Sequence, residues 1–195
     1  INKLVALCKN TLTDDAAGLD YLCDRFGIGL NGATEDIYST VLIVLEISRA
    51  QTGTIDFDDM LWYCATGQVN CEQHDYLFID EAQDLNKAQL EFVRRSTKPD
   101  GRIIAVGDRS QSIYGFRGAD TEAIPNLIEA TSATLLPLSI CYRCPKSHIE
   151  LAQQIVPQIE PRDNAPDGII GNIYEDELID KVHPGDMAIC RLNAP

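Results

Sequence analysis

No stretch of this sequence approaches the roughly 20 consecutive apolar residues that a membrane-spanning helix needs, and its start has neither a basic segment nor a signal-like apolar run. No membrane partner is expected, and the default location is cytoplasmic. Basic residues are scarce: 16 Lys and Arg stand against 30 Asp and Glu, for a net charge of -14. That balance argues against a general polyanion sponge, because phosphate binding draws on clustered cations. A disulfide framework is missing too, since the seven cysteines are odd in number and irregular in spacing, as expected of reduced thiols in a reducing compartment. Cys141 and Cys144 form the one CxxC, without the second pair or paired histidines of a zinc site. Two small side chains flanking Tyr142-Arg143 are the plainer reading. There is no repeat or low-complexity tract. The chain opens on Ile1 and closes on Asn193-Ala194-Pro195 directly after a strand-like run, so both ends are expected to be cuts in something longer.

The 195 residues, 45% of them apolar, suffice for one sizeable core or for a core with part of a neighbour. The charge is unevenly spread. Between Asn86 and Ala119 seven basic residues face three acidic ones, a local +4, so the remainder holds -18. An acidic body with one basic stretch suits a groove that grips a single strand mainly by stacking. The periodicity also divides the chain. Leu4, Leu7 and Cys8 share a helical face, the stretch from Asp14 to Phe26 continues with Ala17, Leu19, Leu22 and Phe26, and Thr34 to Gln51 carries a long apolar stripe. Gly27-Ile28-Gly29, Asn31-Gly32 and Thr52-Gly53 separate these helices. Asp56 is placed to cap a short helix from Phe57 to Ala65. From Tyr76 the pattern becomes strand, helix, strand: Tyr76 to Ile79, a helix capped by Asn86, a turn at Pro99-Asp100-Gly101, then Arg102 to Val106. That is the length of a parallel crossover. A helix at Thr121 to Ala130 and a strand at Thr134 to Leu138 repeat the theme. Pro145 opens a helix over Lys146 to Val156, Pro157 and Pro161 mark a linker, and Ile169 to Tyr174 and Met187 to Cys190 read as further strands.

In a parallel α/β sheet, ligands meet the carboxyl ends of strands, so polar residues just past an apolar run are where chemistry is sought. After the first strand comes Asp80-Glu81-Ala82-Gln83-Asp84. Adjacent carboxylates there suit divided labour, one binding Mg²⁺ through water and the next orienting or deprotonating an attacking water; a solvated strand end or a helix cap would give the same pattern. After the second strand, Gly107 to Asp120 places the amide of Gln111 beside Tyr114, Phe116 and Arg117. An amide can sense a γ-phosphate without competing for its charge, and alternate aromatics can stack on successive bases. Beyond the third strand, Tyr142 can cover a nucleobase and Arg143 can reach a transferring phosphate.

The order Asp56-Phe57-Asp58-Asp59-Met60, Ile79-Asp80-Glu81-Ala82-Gln83-Asp84, Val106 through Asp120, and Cys141-Tyr142-Arg143-Cys144 resembles the UvrD/Rep-like group of superfamily 1 helicases, with spacing intact from about Ile55 to Ala152. The resemblance implies an α/β fold: a RecA-like, P-loop NTPase-type parallel core over residues 53–144, an insertion-like helical subdomain over 1–52, and the start of a second motor domain over 145–195. It implies ATP hydrolysis with Mg²⁺ and translocation along single-stranded DNA, usually 3′ to 5′. By position, Asp80 would be the Mg²⁺ acid and Glu81 the catalytic base. Gln83 and Gln111 would couple the γ-phosphate to the DNA side, Tyr114 and Phe116 would contact bases, and Arg117 would order that loop or touch DNA. Tyr142 would stack on adenine, Arg143 would touch the γ-phosphate, and the Asp56 to Asp59 block would be structural. Phe116 stands where the group often has Trp, and Cys141 and Cys144 where it has Asn and Ser. The sequence contains no GxxxxGK[ST] loop, so the chain alone is expected to be inactive. The rivals are a helicase subunit of an AddA/RecB-like nuclease complex, a non-catalytic DNA or protein adaptor, and a CxxC metal or redox protein.

Overall fold

The computed structural model describes residues 1–30, 32, 34–112, 122–174 and 177–187. The chain forms two compact units, Ile1–Leu135 and Leu136–Pro195. The first begins with four helices: α1 (Asn2–Thr11), α2 (Ala16–Arg25), α3 (Thr34–Ala50) and α4 (Phe57–Thr66). Their apolar stripes meet in one core, where Leu4, Leu7, Cys8, Leu19, Val41, Leu45 and Trp62 are almost wholly buried. Asp15 caps α2 through its bond from the Gly18 N–H. Asp56 caps α4 as expected, in a reciprocal box in which Asp56 accepts the Asp59 N–H at 2.7 Å and Asp59 accepts the Asp56 N–H at 3.0 Å.

The aspartates at the start of α4 do more than cap. Lys9 of α1 is 2% exposed and its ammonium lies 2.7 Å from Asp59 and 2.9 Å from Asp56. Burial pulls the Lys9 ammonium down, but the bonds to Asp59 and Asp56 outweigh it and hold the group above its ordinary value. The ring of Trp62 lies 5.7 Å from the same ammonium. Next along α1, Asn10 donates to Asp58 at 3.0 Å and accepts from Asn86, the residue that caps the following crossover helix, at 2.7 Å. The acidic block is therefore a joint between α1, α4 and the sheet region, as its structural assignment requires.

The remainder of the first unit is a parallel pair of strands, β1 (His74–Ile79) and β2 (Thr97–Ala105), joined by α5 (Lys87–Ser96). Asn86 and Gln89 build a capping box at the start of α5. The register pairs Tyr76 with Arg102 and Ile79 with Ala105, so both strands end level. The turn expected at Pro99-Asp100-Gly101 lies inside β2 instead, as an irregularity between the His74–Thr97 and Tyr76–Arg102 pairs. A bulge absorbs the extra residues without ending the strand, and Pro99 has no N–H to contribute to a ladder. Leu77, Ile79 and Ile103 pack with Leu90, Val93 and Leu127 of α5 and α6 (Ala123–Thr131) to form a second small core. On the alternate residues Tyr76, Phe78, Ile104 and Val106 are 42% to 73% exposed.

Two expected strands are not found as such among the described residues. Thr134 to Leu138 joins no ladder among the described residues; the pairing starts at β3 (Ile140–Cys141), which lies parallel to β4 (Glu160–Pro161). The linker expected at Pro157 to Pro161 thus contains β4, fixed by the Glu160 N–H to Ser139 and the Arg162 N–H to Cys141, with Pro161 between them needing no partner for a missing N–H. Ile169 to Tyr174 also joins no ladder, and Ile169 is fully open to solvent at 94%. Of the run from Met187 to Cys190, residues 188–190 lie outside the described residues. Pro145 opens α7 as expected, but α7 (Lys146–Ala152) is shorter than its apolar pattern, and α8 (Leu178–Lys181) is a single turn. Among the described residues no helix is long and apolar enough to cross a membrane.

Candidate functional site

The level ends of β1 and β2 put two loops side by side. Val106 donates its N–H to the Ile79 carbonyl at 2.8 Å, and its own carbonyl accepts the Ala82 N–H at 2.9 Å. The acidic segment following β1 is held by these bonds against the segment following β2. Asp80 and Glu81 both project from this edge, exposed. Asp80 accepts the Glu81 N–H through one oxygen at 2.9 Å, and its second oxygen has no bond among the described residues. Glu81 adopts φ 52° and ψ 44°, a left-handed conformation uncommon for a residue with a side chain, at the start of a 3₁₀ turn over Ala82–Asp84. Such conformations cost about 1–3 kcal/mol and persist where surrounding bonds enforce them.

Gln83 supplies that enforcement. It is 3% exposed, and its amide N–H₂ donates to the Glu81 carboxylate at 2.6 Å while its oxygen accepts the Asp108 N–H at 3.0 Å. Both ends of the buried amide are satisfied, and its orientation follows because a carboxylate only accepts and an N–H only donates. Gly107 makes the approach possible: a Cβ there would sit 2.7 Å from the Gln83 oxygen and 3.0 Å from the Ala82 backbone nitrogen. The chain of bonds continues outward. Asp108 accepts the Ser110 N–H at 2.9 Å and the Gln111 amide N–H₂ at 2.7 Å, which points the Gln111 oxygen away. Asp84 closes the inner side, with one oxygen buried and without a hydrogen-bond partner. Burial, and then the charge of Glu81, push its carboxyl above the ordinary carboxylate value.

Asp80, Glu81, Gln83 and Gln111 are thus gathered at one sheet edge. Tyr142 and Arg143 are carried by the second unit, in the bend after β3, where Tyr142 is 73% exposed and Arg143 is exposed as well. Tyr114, Phe116 and Arg117 lie outside the described residues. Asp108, which orients Gln111, was not singled out in the sequence; a Gly-Asp directly ahead of a polar loop was the available signal. A second concavity of about 850 Å³ opens at the amino ends of the strands, lined by Cys71, Arg94, Arg95, Lys98 and Gly101 among others. Its cations are already engaged, Arg94 and Arg95 by Glu91 and Lys98 by Asp75.

The donor set fits a hydrated divalent cation in one respect: Mg²⁺ beside a nucleotide is held by one or two carboxylates, waters and phosphate oxygens, and Asp80 offers an open carboxylate oxygen at the strand end. Among the described residues no cluster of three or more His, Cys, Asp or Glu is arranged to hold a metal by protein ligands alone. The acidic pair by itself therefore offers only part of a metal's coordination shell.

Two acidic residues at a parallel-strand end, tied through a buried glutamine to a Gly-Asp-x-x-Gln segment, match one family over two thirds of the chain. The chain belongs to the UvrD/REP helicase family, whose N-terminal domain model matches residues 3–132. It is 24% identical over 164 residues to the ATP-dependent DNA helicase PcrA of Bacillus subtilis, covering 78% of this chain and 21% of that protein. It is 36% identical over 112 residues to the ATP-dependent DNA helicase srs2 of Schizosaccharomyces pombe, covering 55% and 13%, and 31% identical over 85 residues to DNA helicase II of Haemophilus influenzae, covering 44% and 12%. The chain thus spans at most 21% of the length of these relatives.

Proposed function

We propose that this chain is the magnesium and water half of the ATP site of a helicase that translocates along single-stranded DNA, 3′ to 5′, and that β1, α5 and β2 are part of a RecA-like core. One observation carries the reading: the Gln83 amide joins the Glu81 carboxylate to the backbone of the loop that holds Gln111. A change in what Glu81 or Gln111 touches is felt by the other through rigid, fully satisfied bonds. That is the coupling a motor needs between phosphate chemistry and a strand-gripping loop.

In this reading Asp80 would hold Mg²⁺, and the ion would supply neutralisation of the phosphate charge. Glu81 accepts a proton from the attacking water, with its rotamer fixed by Gln83. Gln111 faces the γ-phosphate, and Tyr142 and Arg143 supply an adenine stack and a phosphate contact from the segment after β3. The bare sheet face supports the RecA-like part. A two-stranded parallel sheet is covered on both sides in stable α/β proteins, and Tyr76, Phe78, Ile104 and Val106 present an apolar surface that further strands and helices of the motor would bury. The phosphate cradle, absent from this sequence, would come with them.

The test is DNA-stimulated ATP hydrolysis by the full-length protein and its Glu81→Gln variant. A general base contributes about 10²- to 10⁴-fold, so turnover is expected to drop by that range while nucleotide binding is kept. An unchanged rate would remove Glu81 from the chemistry. The isolated 195-residue chain is expected to show no Glu81-dependent turnover.

A further inference from the structure

The acidic segment after β1 is held at both ends, and by different parts of the molecule. Its front is tied to the segment after β2, through the Ala82 N–H to the Val106 carbonyl at 2.9 Å and through Gln83 to Asp108. Its rear runs into Asn86, the cap of α5. Asn86 uses its backbone N–H and its side-chain oxygen in the box with Gln89, at 2.8 Å each. Its amide N–H₂ serves neither bond of the box and donates instead to the side-chain oxygen of Asn10 in α1 at 2.7 Å.

Asn10 has little freedom to do otherwise. Its amide hydrogens go to the Ala6 carbonyl at 2.9 Å and to the Asp58 carboxylate at 3.0 Å. Both groups only accept, so the amide has one orientation, and its oxygen faces Asn86. The preceding residue, Lys9, is clamped between Asp56 and Asp59, so α1 cannot turn Asn10 away without breaking buried ion pairs. Between this anchor and the sheet edge the chain is short and internally bonded. The Asp84 N–H donates to the Glu81 carbonyl at 2.9 Å, and Leu85 packs against the second core. Glu81 begins this turn in its left-handed conformation, which persists only where the surroundings enforce it.

We propose that Asn10 is a positioning residue for Glu81: through the Asn86 amide it fixes the rear of the Ala82–Asp84 turn to α1, so that the helical subdomain sets where the carboxylate stands at the sheet edge. Gln83 holds the front of the turn and Asn10 the rear, and a displacement of either passes to Glu81 through bonded groups with no slack between them. The consequence for ATP hydrolysis rests on the helicase reading above; the anchoring of the turn does not.

Three variants separate this role from general support of the fold. Asn86→Ser keeps an oxygen that caps α5 but removes the N–H₂ that reaches Asn10. Asn10→Asp removes the donors to Asp58 and Ala6 and sets two carboxylates face to face. Asn10→Asp with Asp58→Asn reverses that pair, so the carboxylate at position 10 accepts from position 58 and from Asn86 together. Native-state amide hydrogen exchange is measured on the 195-residue chain. A hydrogen bond of ordinary strength corresponds to a change of roughly twofold to tenfold in local opening. The Asp84 amide is therefore expected to exchange faster by that range in Asn86→Ser and Asn10→Asp, and at the wild-type rate in the double variant. The amide of Phe26, bonded to Leu22 in the helical core, is expected to be unchanged throughout. Equal acceleration at Phe26, or an unmoved Asp84 amide in Asn86→Ser, would overturn the proposal.

In the full-length protein the same single variants are expected to lower kcat for DNA-stimulated ATP hydrolysis with KM for ATP unchanged, and the double variant to recover it. The loss is expected to reach up to about 10²-fold, the effect of a misplaced catalytic group. Full turnover in both single variants, alongside a crippled Glu81→Gln, would sink the positioning role. If Glu81→Gln itself turns over normally, the reading of Glu81 as the base fails, while localised exchange at Asp84 still shows Asn10 anchoring the turn.

Discussion

The chain carries two acidic motifs of similar composition, Asp56-Phe57-Asp58-Asp59 and Asp80-Glu81-Ala82-Gln83-Asp84, and they have opposite fates. The first is spent on structure. Asp59 is 6% exposed and faces a lysine that is 2% exposed, Asp56 and Asp59 cap each other's segment, and Asp58 is bonded by Asn10. The second is bonded to no cation among the described residues. Its partners are an amide and backbone N–H groups, and its two leading carboxylates are exposed. A carboxylate with a buried counter-ion is neutralised and fixed, while one held by neutral donors keeps its charge available for a metal or a proton. Composition does not separate the two motifs; the counter-ion does.

Removing that counter-ion should give the largest stability effect. Lys9→Ala leaves Asp59 buried without its cation, and breaking such a pair costs about 3–5 kcal/mol, visible as a lower urea midpoint of the isolated chain. A loss below about 1 kcal/mol would place the first motif with the surface ion pairs, whose contributions are of that size. Gly107→Ala is expected to cost about 1–3 kcal/mol, because the added Cβ meets the Ala82 backbone and the Gln83 oxygen. It should also lower ATP turnover of the full-length protein, since Gln83 would have to release Asp108 or Glu81. Wild-type stability and turnover would mean that the close approach is unimportant.

The pH dependence sharpens the same contrast, with opposite signs at the two motifs. Burial raises the Asp56 carboxyl, but the bond from Lys9 outweighs it and leaves the group below its ordinary value. Its stabilisation is present above the unfolded carboxylate value of about 3.9 and is lost as the pH falls through the lower folded value. Lys9 is raised, so its contribution is present below the ordinary ammonium value and is lost only as the pH rises through the higher folded one. Asp84 is the reverse of Asp56: its raised value means a destabilisation present above that value and relieved on acidification. Urea midpoints measured from neutral to acid pH should therefore fall less steeply in Asp56→Asn than in wild type, and Asp84→Asn should be more stable than wild type near neutrality. Smallest of all is Asp80→Asn, expected within about 0.5 kcal/mol of wild type as a surface change. A large loss there would make the second motif structural as well.

Much of this was legible from residue order. Asp56 and Asn86 were readable as caps because a short polar side chain ahead of an apolar period has few other uses, and both build the reciprocal box. The parallel crossover from β1 through α5 to β2 followed from the change in period. The strand at Thr134 to Leu138 was misread because an apolar run shows β potential but not a partner; the pairing begins at Ile140. The Pro99 to Gly101 turn was misread for the complementary reason, since turn residues also fit a bulge within a ladder. The two compact units meet at Leu135/Leu136.

The sequence by itself determined the helix starts, the period of each element and the identity of the acids, amides and aromatics at the strand ends, because those depend on neighbours a few residues apart. Only the tertiary structure decided which acids are neutralised, by bringing Lys9 across 47 residues to Asp56, and that Gln83 reaches Asp108 as well as Glu81. Charge partners and buried amide contacts are set by packing between distant segments, and no local pattern encodes them.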